Sequence, residues 1–169
     1  MKVLSLDSVH EWLRTACLLD AQQELLLTQF QKPIRLILPQ DAGRKTNLGR
    51  VLAASVVSKS EGLLWIDEFG IWPSSENWVI FDGLRSLVGE KRPLYEAPGH
   101  LFTAEDEQLL SAMLATILYF SWGAVVVRNS LDLVIRISHD ECVDFYGSAD
   151  TLGAVQSVLR RQRLLPEGR

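Results

Sequence analysis

The chain has 169 residues, 47% of them hydrophobic and 22% charged, the composition of an ordinary globular domain that buries about two-thirds of its unfolded surface. A formal charge of -4 and a pI near 5.4 leave no basic excess to displace counterions from a phosphate backbone, which argues against nucleic acid as a partner. The two cysteines, Cys17 and Cys142, form neither a disulfide framework nor a metal spacing and read as free thiols.

Asp7 and His10 interrupt the N-terminus before an apolar signal-peptide core can develop, so the expected location is the cytoplasm. The first predicted element is a short amphipathic helix capped by Asp7 or Ser8, with Val9, Trp12, Leu13 and Ala16 at helical spacing. Residues 21–30 fit a continued helix or a strand equally, and residues 1–30 read as a helical N-terminal segment. Pro33 stops any helix, and residues 34–38 read as a strand closed by Pro39. Asp41 is the expected cap of a helix carrying Leu48, Val51, Leu52, Ser55 and Val56 as a stripe, and residues 63–66 begin a second strand. Strand, helix and strand in this order fit a right-handed parallel crossover.

The stretch from Gly62 to Arg85 holds three of the five tryptophans. In it, Ser74 or Ser75 is the expected cap of a helix that ends near Gly89. Residues 90–100, with Pro93, Pro98 and Gly99, read as a loop. Thr103 and Asp106 resemble a capping box that opens a long apolar helix through Trp122, the expected central core helix. Residues 109–127 carry no charge and approach spanning length, but Gly123 and the β-branched run after it fit a buried helix followed by a core strand, so no membrane partner is expected. From residue 124 the period drops to two, and 124–127, 133–137 and 142–146 read as a three-stranded antiparallel meander. Ser148 or Asp150 caps a last helix with Leu152, Val155, Val158 and Leu159 facing inward, and residues 166–169 form a frayed tail. The expected architecture is a single α+β domain over residues 1–169. Its mixed sheet has about five strands, with an N-terminal βαβ-like unit, a C-terminal antiparallel meander and a buried central helix.

Gly43-Arg44-Lys45-Thr46 follows a strand and opens a helix, but a phosphate-binding loop needs G-x-x-x-x-G-K-S/T. Here Arg44 separates the glycine from the lysine, and Leu38 stands where the first glycine belongs. A looser anion site at this helix start competes with a solvated first turn. The candidates for acid/base chemistry are Glu68, Glu96, His100, His139, Asp140 and Glu141. Asp67 and Glu68 directly follow a strand, where α/β folds place chemistry, although strict alternation lets only one of them face a given pocket. Pro98-Gly99 prevents Glu96 and His100 from pairing on a helix. His139-Asp140-Glu141 gathers three ionisable groups in a predicted turn, which polarity alone also explains. No G-x-S-x-G elbow marks a nucleophile, and no spacing calls for a metal or a cofactor. The candidate binding residues are Asp67, Glu68, Trp72 and Pro73: tryptophan is favoured as an interface anchor, with burial in the core as the competing explanation.

Trp72-Pro73-Ser74-Ser75-Glu76-Asn77, Glu96-Ala97-Pro98-Gly99-His100-Leu101-Phe102 and Ser138-His139-Asp140-Glu141 together resemble an uncharacterised group of small bacterial proteins, over roughly residues 63–146. The resemblance implies no activity and transfers no catalytic residue. The leading expectation is therefore a cytosolic, non-enzymatic module that binds another protein, immunity- or sensor-like by analogy only. One competitor is a small enzyme with an acid/base or metal pocket around Glu68, His100 and His139, which requires those three to converge. The other is a structural homodimer subunit that buries exposed tryptophans.

Overall fold

The computed structural model describes residues 1–22, 24–30, 32–57, 61–69 and 76–165, the side chains of Glu76 and Asn77 excepted. Strand β1 (Lys2–Leu4) leads into α1 (Leu6–Thr15), whose cap is Ser5 rather than Asp7 or Ser8; its hydroxyl accepts the Ser8 amide at 3.3 Å. Residues 21–30 adopt neither expected form. Leu19 and Leu25 make an isolated antiparallel bridge, and Leu27–Gln29 is a single 3-10 turn. Next come β2 (Ile34–Ile37) and α2 (Ala42–Val57), where the Asp41 carboxylate accepts the Arg44 amide at 2.8 Å and caps the helix.

The chain continues through β3 (Gly62–Glu68), α3 (Glu76–Ser86), β4 (Gly99–Phe102), α4 (Glu107–Phe120), β5 (Gly123–Arg128), β6 (Leu133–Ser138), β7 (Cys142–Gly147) and α5 (Ala149–Arg161). The Thr103–Asp106 capping box forms ahead of α4, with Asp106 accepting the Thr103 amide at 3.0 Å, and Ser148 caps α5. Ser74, Ser75 and the tail 166–169 lie outside the described residues.

The strands form one antiparallel sheet of seven, in the order β1-β4-β3-β5-β6-β7-β2. The meander β5-β6-β7 is present, each strand beside the next, as its period-two apolar pattern requires. Two expectations are corrected. Residues 99 and 100, read as the end of a loop from the nearby prolines, belong to β4, which lies between β1 and β3, because pairing on both sides outweighs weak local propensity. The parallel βαβ pairing, and with it the mixed sheet of five strands, is absent. β2 bonds to β7 at one edge, while β3 lies between β4 and β5. Successive antiparallel steps leave β2 and β3 pointing the same way, so α2 does make a crossover, but it spans β5, β6 and β7 instead of joining neighbours.

Helices cover both faces of the sheet. On one face α2, α3, α4 and α5 bury Leu48, Phe81, Met113, Ile117 and Leu159 against Leu64, Val126, Ile135 and Phe145. On the other, α1 and the residues after it bury Val9, Leu13 and Leu18 against Leu63, Trp65, Val125 and Val127. Each fully buried leucine or phenylalanine contributes roughly 2 kcal/mol, so this double packing dominates the stabilisation. Helices α2 and α4 meet at Gly49, where a Cβ would stand 2.8 Å from the Ala115 amide nitrogen; only glycine allows that approach. α4 ends at Ser121, in the left-handed conformation at φ 52, and β5 begins at Gly123. Among the described residues no helix is long and apolar enough to cross a membrane.

Candidate functional site

The C-terminal end of β3 carries Asp67 and Glu68. A β-bulge lies here: Ile66 pairs with Ala124 and Glu68 with Gly123, leaving Asp67 as the extra residue. The bulge defeats the alternation that would send the two carboxylates to opposite faces, and both reach Arg136 on β6. Arg136 Nη1 donates to Asp67 Oδ2, and Nη2 lies 3.3 Å from Glu68 Oε2. The same Glu68 oxygen lies 2.9 Å from His139 Nδ1, and His139 Nε2 is 3.5 Å from Asp140 Oδ1. Glu68 lies across the Gly123 backbone, where an added Cβ would fall 2.6 Å from the Glu68 Cβ.

The row of charge continues across the sheet. Arg136 stands opposite Asp144 on β7, and Asp144 opposite Arg35 on the edge strand β2. Arg35 grips that carboxylate with two bonds, Nε to Oδ1 at 2.7 Å and Nη2 to Oδ2 at 2.6 Å, the strong bidentate geometry. From β3 to β2 the charges therefore alternate in sign.

Burial pushes the Asp67 carboxyl above its ordinary range, and the Arg136 cation opposes that shift without cancelling it. Asp67 Oδ1 is buried with no hydrogen-bond partner among the described residues. The bond to Glu68 pulls the His139 imidazole above its ordinary value, while the ring remains about one-third exposed. An imidazole that is one-third exposed and bonded to a carboxylate can take up and release a proton. Arg136 and His139 share the same Glu68 oxygen.

His100 does not join this cluster. It pairs with Leu64 across β3 and β4 and so faces α3, fully buried and edge-on to Phe81 at 5.9 Å. Arg136 pairs with Val125, which belongs to the opposite, α1-covered face. The pocket of Glu68, His100 and His139 therefore does not form. Burial first, and then the charge of Arg85, lower the His100 imidazole to about 3. The backbone of Leu64 and Pro98 approaches the ring without completing a hydrogen bond among the described residues. Arg85 itself is 1% exposed; it donates to Ala97 O at 2.9 Å and to Asp82 Oδ1 at 3.2 Å, and its Nε has no partner among the described residues.

Of the other candidates, Glu96 is exposed in the segment before β4, and Asp140 is exposed beside His139. Glu141 turns away at φ 58, and its Oε2 accepts from Gln40 Nε2 at 3.3 Å. Trp72 and Pro73 lie outside the described residues. At the start of α2, where a loose anion site competed with a solvated first turn, Asp41 takes the amides of Arg44 and Lys45, and Arg44 Nη2 donates to Arg163 O at 2.7 Å. Among the described residues no group of three or more His, Cys, Asp or Glu side chains is placed to hold a metal ion. Cys17 is exposed and Cys142 buried, both as free thiols.

The charge ladder's central member, Arg136, was not a sequence candidate. Its signal was there, as a lone arginine in the apolar strand Leu-Val-Ile-Arg-Ile, since a charge on a half-buried strand face needs a partner. Fold and cluster together define a single-domain α+β protein with a seven-stranded antiparallel sheet and a charge ladder across one of its faces. Compared with known proteins, the chain matches no family model, no curated protein and no solved structure.

Proposed function

We propose that the protein is a non-enzymatic binding module that docks another protein on the outer face of α3. The observation that carries this reading is apolar exposure along α3 and the turn that follows it: Val79 is 73% exposed and Ile80 52% on the helix, Leu87 77% and Val88 41% in the turn. Within α3, Val79, Ile80 and Gly83 fall on one side, opposite the buried Phe81 and Arg85, and Leu87 follows in the turn just past the helix end. A Cβ at Gly83 would meet nothing within 4 Å, so the middle of the stripe is open and flat. Contiguous large apolar side chains left in solvent mark protein-contact surfaces, whereas single ones do not. Trp78 is turned inward against Phe69, with ring centroids 5.2 Å apart, and lies off the stripe.

The 2.9 Å contact between His139 and Glu68 favours a second reading, acid/base chemistry at the end of the sheet. Against it stands Arg136, which engages both carboxylates. The docking reading is tested by cross-linked capture from native extract with mass spectrometry of stoichiometric species, comparing wild type with a Val79→Ser/Leu87→Ser double variant. Sedimentation velocity of both proteins accompanies it. The expected outcome is a monomer that retains one partner in fixed ratio, with retention at least about tenfold weaker in the double variant at unchanged Tm. A dimer dissociated by the two serines would assign the stripe to self-association instead, and capture indifferent to them would overturn the reading.

A further inference from the structure

A groove of about 710 Å³ runs between α2 and α5, with Val51, Ala54, Val155 and Val158 among its lining. That volume falls within the range of small-ligand sites. Two ties fix the direction of its walls. At one end Arg44 of α2 holds Arg163 O, just beyond α5. At the other, Arg128 donates to Ser55 O of α2 and, at 2.8 Å, to Asp132, which also accepts the Thr151 hydroxyl of α5 at 3.2 Å. The two helices therefore run antiparallel. The lining follows α5 from Asp150 to Arg161, a length on the order of 16 Å at the α-helical rise.

Charge is distributed unevenly along that length. At the Arg128 end the buried guanidinium is engaged by Asp132 and the Ser55 carbonyl, its Nε alone being without a partner among the described residues, and Asp150 lies at the same end. Farther along, Arg50 from α2 and Arg161 from α5 flank the opening, both exposed. Arg50 bonds the neutral Asn47 amide at 2.7 Å, and among the described residues neither arginine is in an ion pair. The groove thus offers apolar walls and two guanidinium groups that, among the described residues, have no carboxylate partner.

We propose that it binds a small monocarboxylate with an apolar tail, the tail lying on the valine and alanine lining and the carboxylate between Arg50 and Arg161. Guanidinium forks match a carboxylate in geometry as well as charge. Asp150 at the far end repels a head group placed the other way round. Glu107 and Asp150 in the lining also disfavour a dianionic head relative to a single negative charge. This site is separate from the α3 stripe and does not depend on it.

The test titrates decanoate, decanol and inorganic phosphate into the full chain, with calorimetry for affinity and methyl NMR of Val51, Ala54, Val155 and Val158 for location. Decanoate is expected to saturate at one molecule per chain while moving those methyl signals, with decanol at least about tenfold weaker. An Arg50→Gln/Arg161→Gln double variant should lose about tenfold in decanoate affinity and leave decanol binding unchanged. Ala54→Phe, which fills the groove and keeps both arginines, should abolish decanoate binding. Equal affinity for decanoate and decanol, wild-type affinity in the double variant, or shifts confined to other methyls would overturn the proposal. So would saturation by phosphate with the methyl signals unmoved, which would make this an anion site without a tail pocket.

Discussion

His139 and His100 lie on opposite faces of one sheet, and the chain treats their protons in opposite ways. His139, one-third exposed and bonded to Glu68, is raised above the ordinary imidazole value. His100, with no exposed surface and Arg85 as its charged neighbour, is lowered to about 3. The difference lies in water and partners: the first ring has a carboxylate at 2.9 Å, while the second has Phe81 and Phe102 around it, at ring-centroid distances of 5.9 Å and 6.2 Å. Two residues of identical chemistry thus become a proton-binding pair and an aromatic packing unit. Their environments decide which, and a list of ionisable residues does not.

The largest expected effect concerns His100. Its folded-state value lies below the unfolded one, so its contribution is complete above pH ~6.5 and is lost as pH falls toward 3, on the order of 3 kcal/mol by pH 4. Urea unfolding at pH 7 and pH 4 should show this loss, and His100→Phe should remove much of it; an unchanged difference between the two pH values would break the contrast. Arg136→Ala comes next. It leaves Asp67 and Glu68 crowded without their cation and should cost about 2 kcal/mol at pH 7 by thermal melting. Because the Asp67 carboxyl is already raised by burial, the cost should shrink at pH 4, where the protonated acid needs no counter-charge. A cost independent of pH would mean that Arg136 acts by packing alone. The smallest effect is Glu68→Gln, followed by NMR titration of His139. The imidazole should fall back toward its ordinary value, since the bond to Glu68 is the leading cause of its rise. The stabilisation tied to that rise is present at low pH and fades as pH climbs through the folded-state value, so the substitution should flatten stability on the alkaline side. A His139 titration that does not move would show that Glu68 does not set it.

Sequence made the locally determined parts of this fold legible. The meander is written in its period-two apolar runs, and the caps Asp41, Thr103, Asp106 and Ser148 act on amides within a few residues of themselves. β1 and β4 lack the proline-bounded apolar run that marks the similarly short β2, and their partners, such as Lys2 with Leu101, lie far away in the chain. The crossover through α2 was read as joining neighbours because nothing local records that three strands stand between. In the site, Asp67, Glu68, His139 and Asp140 were visible as ionisable runs at element ends. Their convergence was not, because it rests on a bulge and on the bare backbone of Gly123. Strict alternation predicted the opposite.

Both edges of the sheet, β1 and β2, come from the first 37 residues, whereas the strands between them come later in the chain. Arg35 waits for Asp144, 109 residues further on. During synthesis the borders of the sheet are therefore made before its interior, and β2 has no neighbour until β7 has emerged. A chain cut after α4 lacks the whole meander and leaves β2 without a partner. Such distant pairings slow folding and leave β2 exposed as an unpaired strand until β7 reaches it.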